Sequence, residues 1–269
     1  MTISTGVKGD TFAAGVSISA VIPLYNFHPC IELMLEGLIS QTRPPNEIIL
    51  IDDGSSDDVM EYCFDKIRAN LPLVKVLKIF LDRKGPGWAR HKGVLAATSS
   101  HVAFLDSDDV WPRMHLEQRT IKLAEGYDLV CGPYIYSTMN NRSSSKRKPV
   151  SGLIRLTNLL QANPIGNSTV VCCRRNLILA GGYSTLPKRN DYSTWIRLAR
   201  LNCSLFCDLK SDDVVIYRRS ASLSSRKPAL FLHNMAVFRE NGFSIAASAF
   251  FTFLNILNYL LKAGGRLSH

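Results

Sequence analysis

The 269-residue sequence is short of several things, and each shortage removes a class of protein. Its N-terminus, MTISTGVKGDTFAAG, lacks a basic stretch followed by a long apolar run, so no secretory signal is legible. Seven cysteines occur without CxxC pairs and far below the density of a disulfide scaffold, which predicts buried reduced thiols and a cytoplasmic setting. No histidine has a second one at metal-ligand spacing, so His91 and His101 are predicted to be surface or packing groups. No Gly-rich, Lys-containing phosphate loop follows the first apolar run, where PLYNFHPC stands instead, and this argues against nucleotidyl transfer. Internal repeats are absent too.

Acids are scarce as well: 22 against 32 basic residues, a net charge of +10. Such a balance favours an anionic partner, whether nucleic acid, a phosphorylated small molecule or an anionic membrane face. The basic residues are scattered, with no aromatic interleaving or nucleic-acid motif, so nucleic acid is the reading set aside.

What is present is an alternation of strand and helix signals. Apolar runs at 18–26, 47–55, 74–80 and 101–106 are separated by helical spacing at 31–41, near 57–70, and after the Gly-Pro-Gly turn at 85–87. Continuous apolar strands alternating with helices predict an α/β fold, a mostly parallel central sheet flanked by helices. Further on, a polar basic loop is expected at 138–150, a short helix at 152–161, strands at 168–173 and 213–219, and a helix at 191–201. The predicted organisation is an N-terminal tail (1–16), a main domain (17–225) with a first half at about 17–137 and a second at about 151–225, and C-terminal helices (226–269).

The uncharged stretch 243–261 carries Ser244, Ser248, Thr252, Asn255 and Asn258 at intervals of four, four, three and three, gathered on one helical face. An amphipathic helix is expected rather than a membrane span. It either packs on the body of the protein or, with Arg239, Lys262 and Arg266 nearby, lies in a membrane interface.

The chemistry concentrates where strands end. In open α/β sheets ligands bind beyond the carboxyl ends of the strands, and three such ends here read PLYN, DDGSSD and DSDD. Facing carboxylates repel unless a cation sits between them, and an oxygen-only donor set suits Mg²⁺ or Mn²⁺ completed by phosphates. Asp52 and Asp57 are expected to cap the turn and the helix that follow. Asp109 could cap a helix near Pro112 or meet the metal, while Trp111 and Trp195 are packing residues.

The segments SAVIPLYN, LISQTRPPNEIILIDDGSSD, GPGWARHKGVLAATSSHVAFLDSDDVWP and NDYSTWIRLA, together spanning about 18–220, resemble family 2 glycosyltransferases of the GT-A fold. The resemblance implies an inverting, metal-dependent transfer of a sugar from a nucleotide-diphosphate donor to a saccharide acceptor, in surface-polysaccharide assembly. It implies that the first half of the main domain, about 17–137, binds the nucleotide and the second, about 151–225, the acceptor. It implies that Pro23 and Tyr25 line the base pocket, Asp53 bonds the nucleobase, Asp106 approaches the ribose and metal, and Asp108 ligates the Mg²⁺ or Mn²⁺. Arg90 matches the arginine of ARNxG near the nucleotide, and Asp191 matches the base that deprotonates the acceptor. Arg83 and His91 stand where the family has asparagines, and Asn190 precedes Asp191 where an acidic pair is usual. With the QxxRW signature of processive synthases absent, one sugar per acceptor is expected. A position at the N-terminus of the 191–201 helix would keep Asp191 ionised. A lipid-linked acceptor at the inner face of the plasma membrane follows by analogy, and an inactive sugar-nucleotide binder is the alternative.

Overall fold

The computed structural model describes residues 15–138, 141–147, 150–217 and 227–264. Its first half alternates as the apolar runs predict: β1 (Ile18–Leu24), α1 (Cys30–Ile39), β2 (Glu47–Asp52), α2 (Val59–Asn70), β3 (Lys75–Phe80), α3 (Pro86–Ala96) and β4 (His101–Phe104). These strands lie parallel in the order β3-β2-β1-β4. Every residue of β1 and β2 is buried, because α1 and α2 cover one face while α3 covers the other. α3 approaches so closely that a Cβ on Gly93 would stand 2.4 Å from Val21 Cγ1, which leaves glycine as the residue that fits.

Beyond β4 come β5 (Asp109–Val110), α4 (His115–Ala124), β6 (Leu129–Cys131), β7 (Tyr134–Thr138), β8 (Asn141–Arg147) and β9 (Gly152–Ile154). Then follow α5 (Leu156–Gln161), a 3-10 turn at Asn167–Thr169, β10 (Val171–Cys173), α6 (Arg174–Leu179) and α7 (Asn190–Arg200). The chain continues through β11 (Leu205–Cys207), β12 (Val214–Tyr217), α8 (Lys227–Glu240) and α9 (Ile245–Gly264). Among the described residues the main sheet runs β3-β2-β1-β4-β10-β6-β11-β9, and a smaller one runs β5-β12-β7-β8. β10 inserts antiparallel between β4 and β6, so the second half of the chain completes the first half's sheet.

Three sequence expectations change. Part of the expected loop at 138–150 is the strand β8, paired antiparallel with β7. At the rim of the smaller sheet its Ser/Lys/Arg pattern suits an edge, where charge discourages further pairing. The helix expected at 152–161 is divided, because residues 152–154 find an antiparallel partner in β11 and only 156–161 coil. The strand expected at 168–173 begins at Val171, after the 3-10 turn.

All seven cysteines are free thiols, and burial, helped by Glu32, pushes the Cys63 thiol up to about 12. α8 and α9 pack on the body: Val237 and Phe238 join the core, with Phe243 and Phe251 against them. No helix among the described residues is long and apolar enough to cross a membrane.

At the opposite end of the strands from the acidic loops, the buried Glu47 side chain holds the α3–β4 connection. Its Oε1 accepts from Ser19 Oγ (2.5 Å), Thr98 N (2.5 Å) and Ser99 N (3.2 Å), with Lys75 Nζ 3.6 Å from Oε2. Burial works to raise its pKa, but the hydrogen bonds from Ser19, Thr98 and Ser99 prevail and leave it lowered. A lowered carboxylate contributes stability above its unfolded pKa and loses it as pH falls through the folded value. Glu47→Gln should therefore cost about 1–2 kcal/mol at pH 7, the difference between charged and neutral acceptors. In urea titrations the deficit should fade as pH falls from the ordinary glutamate range through the lowered folded value, where the wild-type carboxyl also protonates; a deficit constant with pH would contradict this.

Candidate active site

The acidic loops meet at the carboxyl edge of β1, β2 and β4. At the end of β2, Asp52 accepts from Ser55 N and Oγ, and Asp57 accepts from Phe27 N and Val59 N, the turn and cap roles expected of them. Asp53 does something else. Its two oxygens accept from Lys84 N (2.7 Å) and Gly85 N (2.8 Å), so the end of β2 grips the turn that opens α3. Gly85 has φ +93°, which glycine tolerates, and Pro86 follows at the first helical position. Pro23 is buried in β1 opposite Ile51, while Tyr25 lies just past the strand with the Arg83 guanidinium 4.8 Å from its ring centroid. Arg83 thus caps the ring predicted to line a base pocket, and His91 bonds the Tyr183 carbonyl through Nδ1 at 3.0 Å.

One turn into α3, the buried Arg90 reaches the end of β4. Its Nε and Nη2 donate to Asp106 Oδ1 (3.1 and 2.5 Å), and its Nη1 donates to Asn190 Oδ1 (2.9 Å) at the start of α7. All three guanidinium nitrogens are engaged within the protein. Burial alone would lower the Arg90 pKa, and the Asp106 charge more than offsets it, so the group stays a fixed cation. Asp106 Oδ1 also accepts from Asn167 Nδ2 (3.0 Å), whose own Oδ1 accepts from Tyr183 OH (2.7 Å).

Asp109 is not a helix cap. It lies in β5, buried, accepting from Ser168 Oγ (2.5 Å), while α4 starts only at His115. Burial, then the charges of Asp106 and Asp108, raise its pKa well above the carboxylate range, so the three acids of DSDD share one small region. Ser107 Oγ lies 3.2 Å from His28 Nε2, which joins this loop to the one after β1.

Asp191 occupies the first turn of α7, its Oδ2 accepting from Asn163 Nδ2 (2.9 Å). Burial raises its pKa, and the Tyr192 N–H, Arg90, Arg189 and Asn163 only moderate the rise. The helix N-terminus favours the ionised form, as expected, but desolvation outweighs it in setting the direction of the shift. The start of α3 presses on the start of α7, since a Cβ on Gly87 would meet Ser184 O at 2.8 Å and Asn190 Nδ2 at 3.1 Å.

A continuous set of contacts therefore runs from Asp53 through the turn before α3 to Arg90, and from Arg90 to Asp106 on one side and to Asn190, beside Asp191, on the other. Sequence reasoning missed Asn163, Asn167, Ser168 and Tyr183, which hold this set together. The available signal was NPIGNST at 163–169, a Pro/Gly-punctuated run of amides and hydroxyls.

The glycosyl transferase family 2 model matches residues 19–180. An uncharacterised glycosyltransferase of Nostoc sp., alr2836, is 34% identical over 115 residues, covering 43% of this chain and 35% of that protein. WfgD of Escherichia coli, a UDP-Glc:alpha-D-GlcNAc-diphosphoundecaprenol beta-1,3-glucosyltransferase, is 28% identical over 222 residues, 78% of this chain and 80% of that one. Several curated relatives are matched over only about a third of their length. Among solved structures, S. aureus TarS 1-349 in complex with UDP-GlcNAc aligns with TM-score 0.69 at 19% identity, over 89% of this chain and 71% of that one. The mannosyltransferase PcManGT of Pyrobaculum calidifontis, in complex with GDP-Man and Mn²⁺, aligns with TM-score 0.63 at 17% identity, over 94% and 76%. With the central sheet, the acidic strand ends and the matched span in agreement, the chain belongs to glycosyl transferase family 2 and is built on the GT-A fold.

Proposed function

We propose that the protein transfers a single sugar from a nucleoside-diphosphate donor to a saccharide hydroxyl with inversion, in the assembly of a bacterial surface polysaccharide on a lipid-linked acceptor. The observation that carries this reading is the bridge made by Arg90, which couples Asp106 at the end of β4 to Asn190, the neighbour of Asp191. A donor anchored at one end of such a bridge lies beside a carboxylate suited to activate an acceptor at the other. The lipid-linked acceptor is suggested by the name of WfgD, and a nucleotide-sugar donor by the ligands of TarS and PcManGT.

Asp53, fixed by two backbone N–H groups, retains acceptor capacity on each oxygen for a nucleobase N–H, with Pro23 and the Arg83-backed Tyr25 ring beside it. Among the described residues no three His, Cys, Asp or Glu side chains form a protein cage for a metal. Asp106 and Asp108 nevertheless fit Mg²⁺ or Mn²⁺: they are oxygen donors, few in number, at a strand end where phosphates would complete the shell. Such an ion, when bound, neutralises the donor's diphosphate and makes it a better leaving group. Arg90 holds Asp106 in place with Nε and Nη2 and Asn190 with Nη1, three of its five N–H donors. Asp191, held at Oδ2 by Asn163, takes the proton of the acceptor hydroxyl as that oxygen attacks the anomeric carbon from the face opposite the diphosphate. One displacement inverts the centre and needs one enzymic carboxylate. Its raised pKa makes Asp191 a stronger base than an exposed aspartate.

Asp191→Asn should lower turnover by about 10²- to 10⁴-fold, read as nucleoside diphosphate release across a panel of UDP- and GDP-sugars. Thermal stabilisation by the same donors should persist, and near-normal turnover would remove Asp191 as the base.

Asp191 must be ionised to act, so the acid limb of the rate profile should lie above the ordinary aspartate range. Asn163 donates to the ionised form and holds that pKa down; Asn163→Ala should move the limb to higher pH, and an unmoved limb would show that Asn163 does not set it.

Asp109 supplies the test of the acidic cluster. A carboxyl whose folded pKa is raised loses its stability contribution as pH rises through that value. Asp109→Asn should therefore raise Tm at pH 8 in EDTA by roughly 2–4 °C, what ~1 kcal/mol achieves in a domain of this size. The gain should shrink at pH 5 or with saturating Mn²⁺; a variant that melts lower in EDTA at pH 8 would refute the repulsion.

A further inference from the structure

The last helix is turned the opposite way from a soluble surface helix. On α9 the polar stripe faces inward: Ser248, Thr252 and Asn255 are buried, Asn255 Nδ2 donates to Leu160 O (2.8 Å), and Asn258 Nδ2 donates to Gln161 O (3.2 Å). Tyr192 OH, adjoining Asp191, donates to Leu159 O at the end of α5 and lies 3.2 Å from Asn255 Oδ1, so the helix packs beside the proposed base. The opposite face carries Phe250, Phe253, Leu257 and Leu261, all exposed, with Phe250 at 57% and Phe253 at 61%. These residues fall within a single side of the helix at 3.6-residue spacing.

Charge identifies what covers this face. No Asp or Glu occurs from residue 241 to 269. At the α8–α9 turn the exposed Arg200 guanidinium lies 5.2 Å from the Phe243 ring, and the exposed Arg239 donates Nη1 to Phe243 O (2.7 Å). Lys262 and Arg266 follow at the other end in the sequence; their side chains lie outside the described residues. An apolar face with exposed arginines at one end, on a helix that carries no carboxylate, is complementary to an anionic lipid surface. Because α9 does not qualify as a span, contact is in the plane of the interface.

We propose that α9 is an in-plane docking face for an anionic lipid bilayer, which seats the protein with the start of α7 close to the membrane surface. The test is flotation of the purified full chain with vesicles of phosphatidylcholine alone or with phosphatidylglycerol added, for wild type and the Phe250→Ser/Phe253→Ser double variant. Wild type should float with the anionic vesicles and not with the neutral ones. The double variant should lose about tenfold or more of that binding, while Tm and nucleoside diphosphate release stay unchanged. Failure of wild type to float, equal flotation with both vesicles, or flotation that survives the double substitution overturns the proposal. So does a concentration-dependent dimer abolished by the substitutions, which assigns the face to a second copy, or a drop in Tm, which assigns it to a covering segment of this chain. Nucleoside diphosphate release is scored separately, so an active protein that does not float sinks this inference alone.

Discussion

The buried ion pair between Arg90 and Asp106 is the constraint around which the rest of the site is organised. A guanidinium removed from water is tolerable only when its charge and its donors are answered, and here one carboxylate oxygen and one amide oxygen answer them. Their geometry fixes several elements at once. Arg90 belongs to α3, Asp106 follows β4, Asn190 opens α7, and Asn167, which shares Asp106, belongs to the connection before β10. Gly93 and Gly87 are part of the same constraint, since α3 must lie against both β1 and the start of α7 for the guanidinium to reach both partners. Asparagine at 190 is consistent with that arrangement: it accepts from Arg90 without competing for the charge that Asp106 requires.

A second tension is electrostatic. The chain is strongly basic, yet its strand ends gather Asp106, Asp108 and Asp109, and Arg90 is committed to the first of them. Asp109 is worst placed, fully buried with two like charges nearby and a serine hydroxyl as its hydrogen-bond donor. Without a cation, the buried carboxyl of Asp109 answers that repulsion by holding a proton well above the usual carboxylate range. Strain of this kind belongs at a binding site, where the ligand rather than the fold supplies the missing charge.

Strands β1, β2 and β4 and their helices were legible because an interior parallel strand must be apolar on both faces, a pattern that tertiary context seldom overrides. The acidic loops were legible for a related reason: carboxylates at strand ends need an explanation, whatever the fold. Edge pairing was not legible. Residues 141–147 carry no hydrophobic period and become a strand only because β7 offers its edge, and residues 152–154 do so through β11. Asn163 and Asn167 escaped notice for the same cause, since an amide acquires its role from what the fold brings opposite it. The direction of the Asp191 shift also depended on packing: position in the helix favours the ionised form, and burial raises the pKa.

The spacing of Ser248, Thr252 and Asn255 was visible in the sequence, but the side on which it would lie was not. Turning α9 by half a revolution would bury Phe250, Phe253 and Leu257, each worth about 1.5–3 kcal/mol on full burial. What opposes that rotation is the set of polar groups it would leave facing the wrong way. The carbonyls of Leu160 and Gln161 at the end of α5 would lose their amide donors. Polar satisfaction at the α5–α9 contact therefore selects the orientation, and the exposed apolar face is its consequence. A helix held this way lets a fold keep a hydrophobic surface outward without collapsing onto it, which a surface helix with the usual polarity would not do.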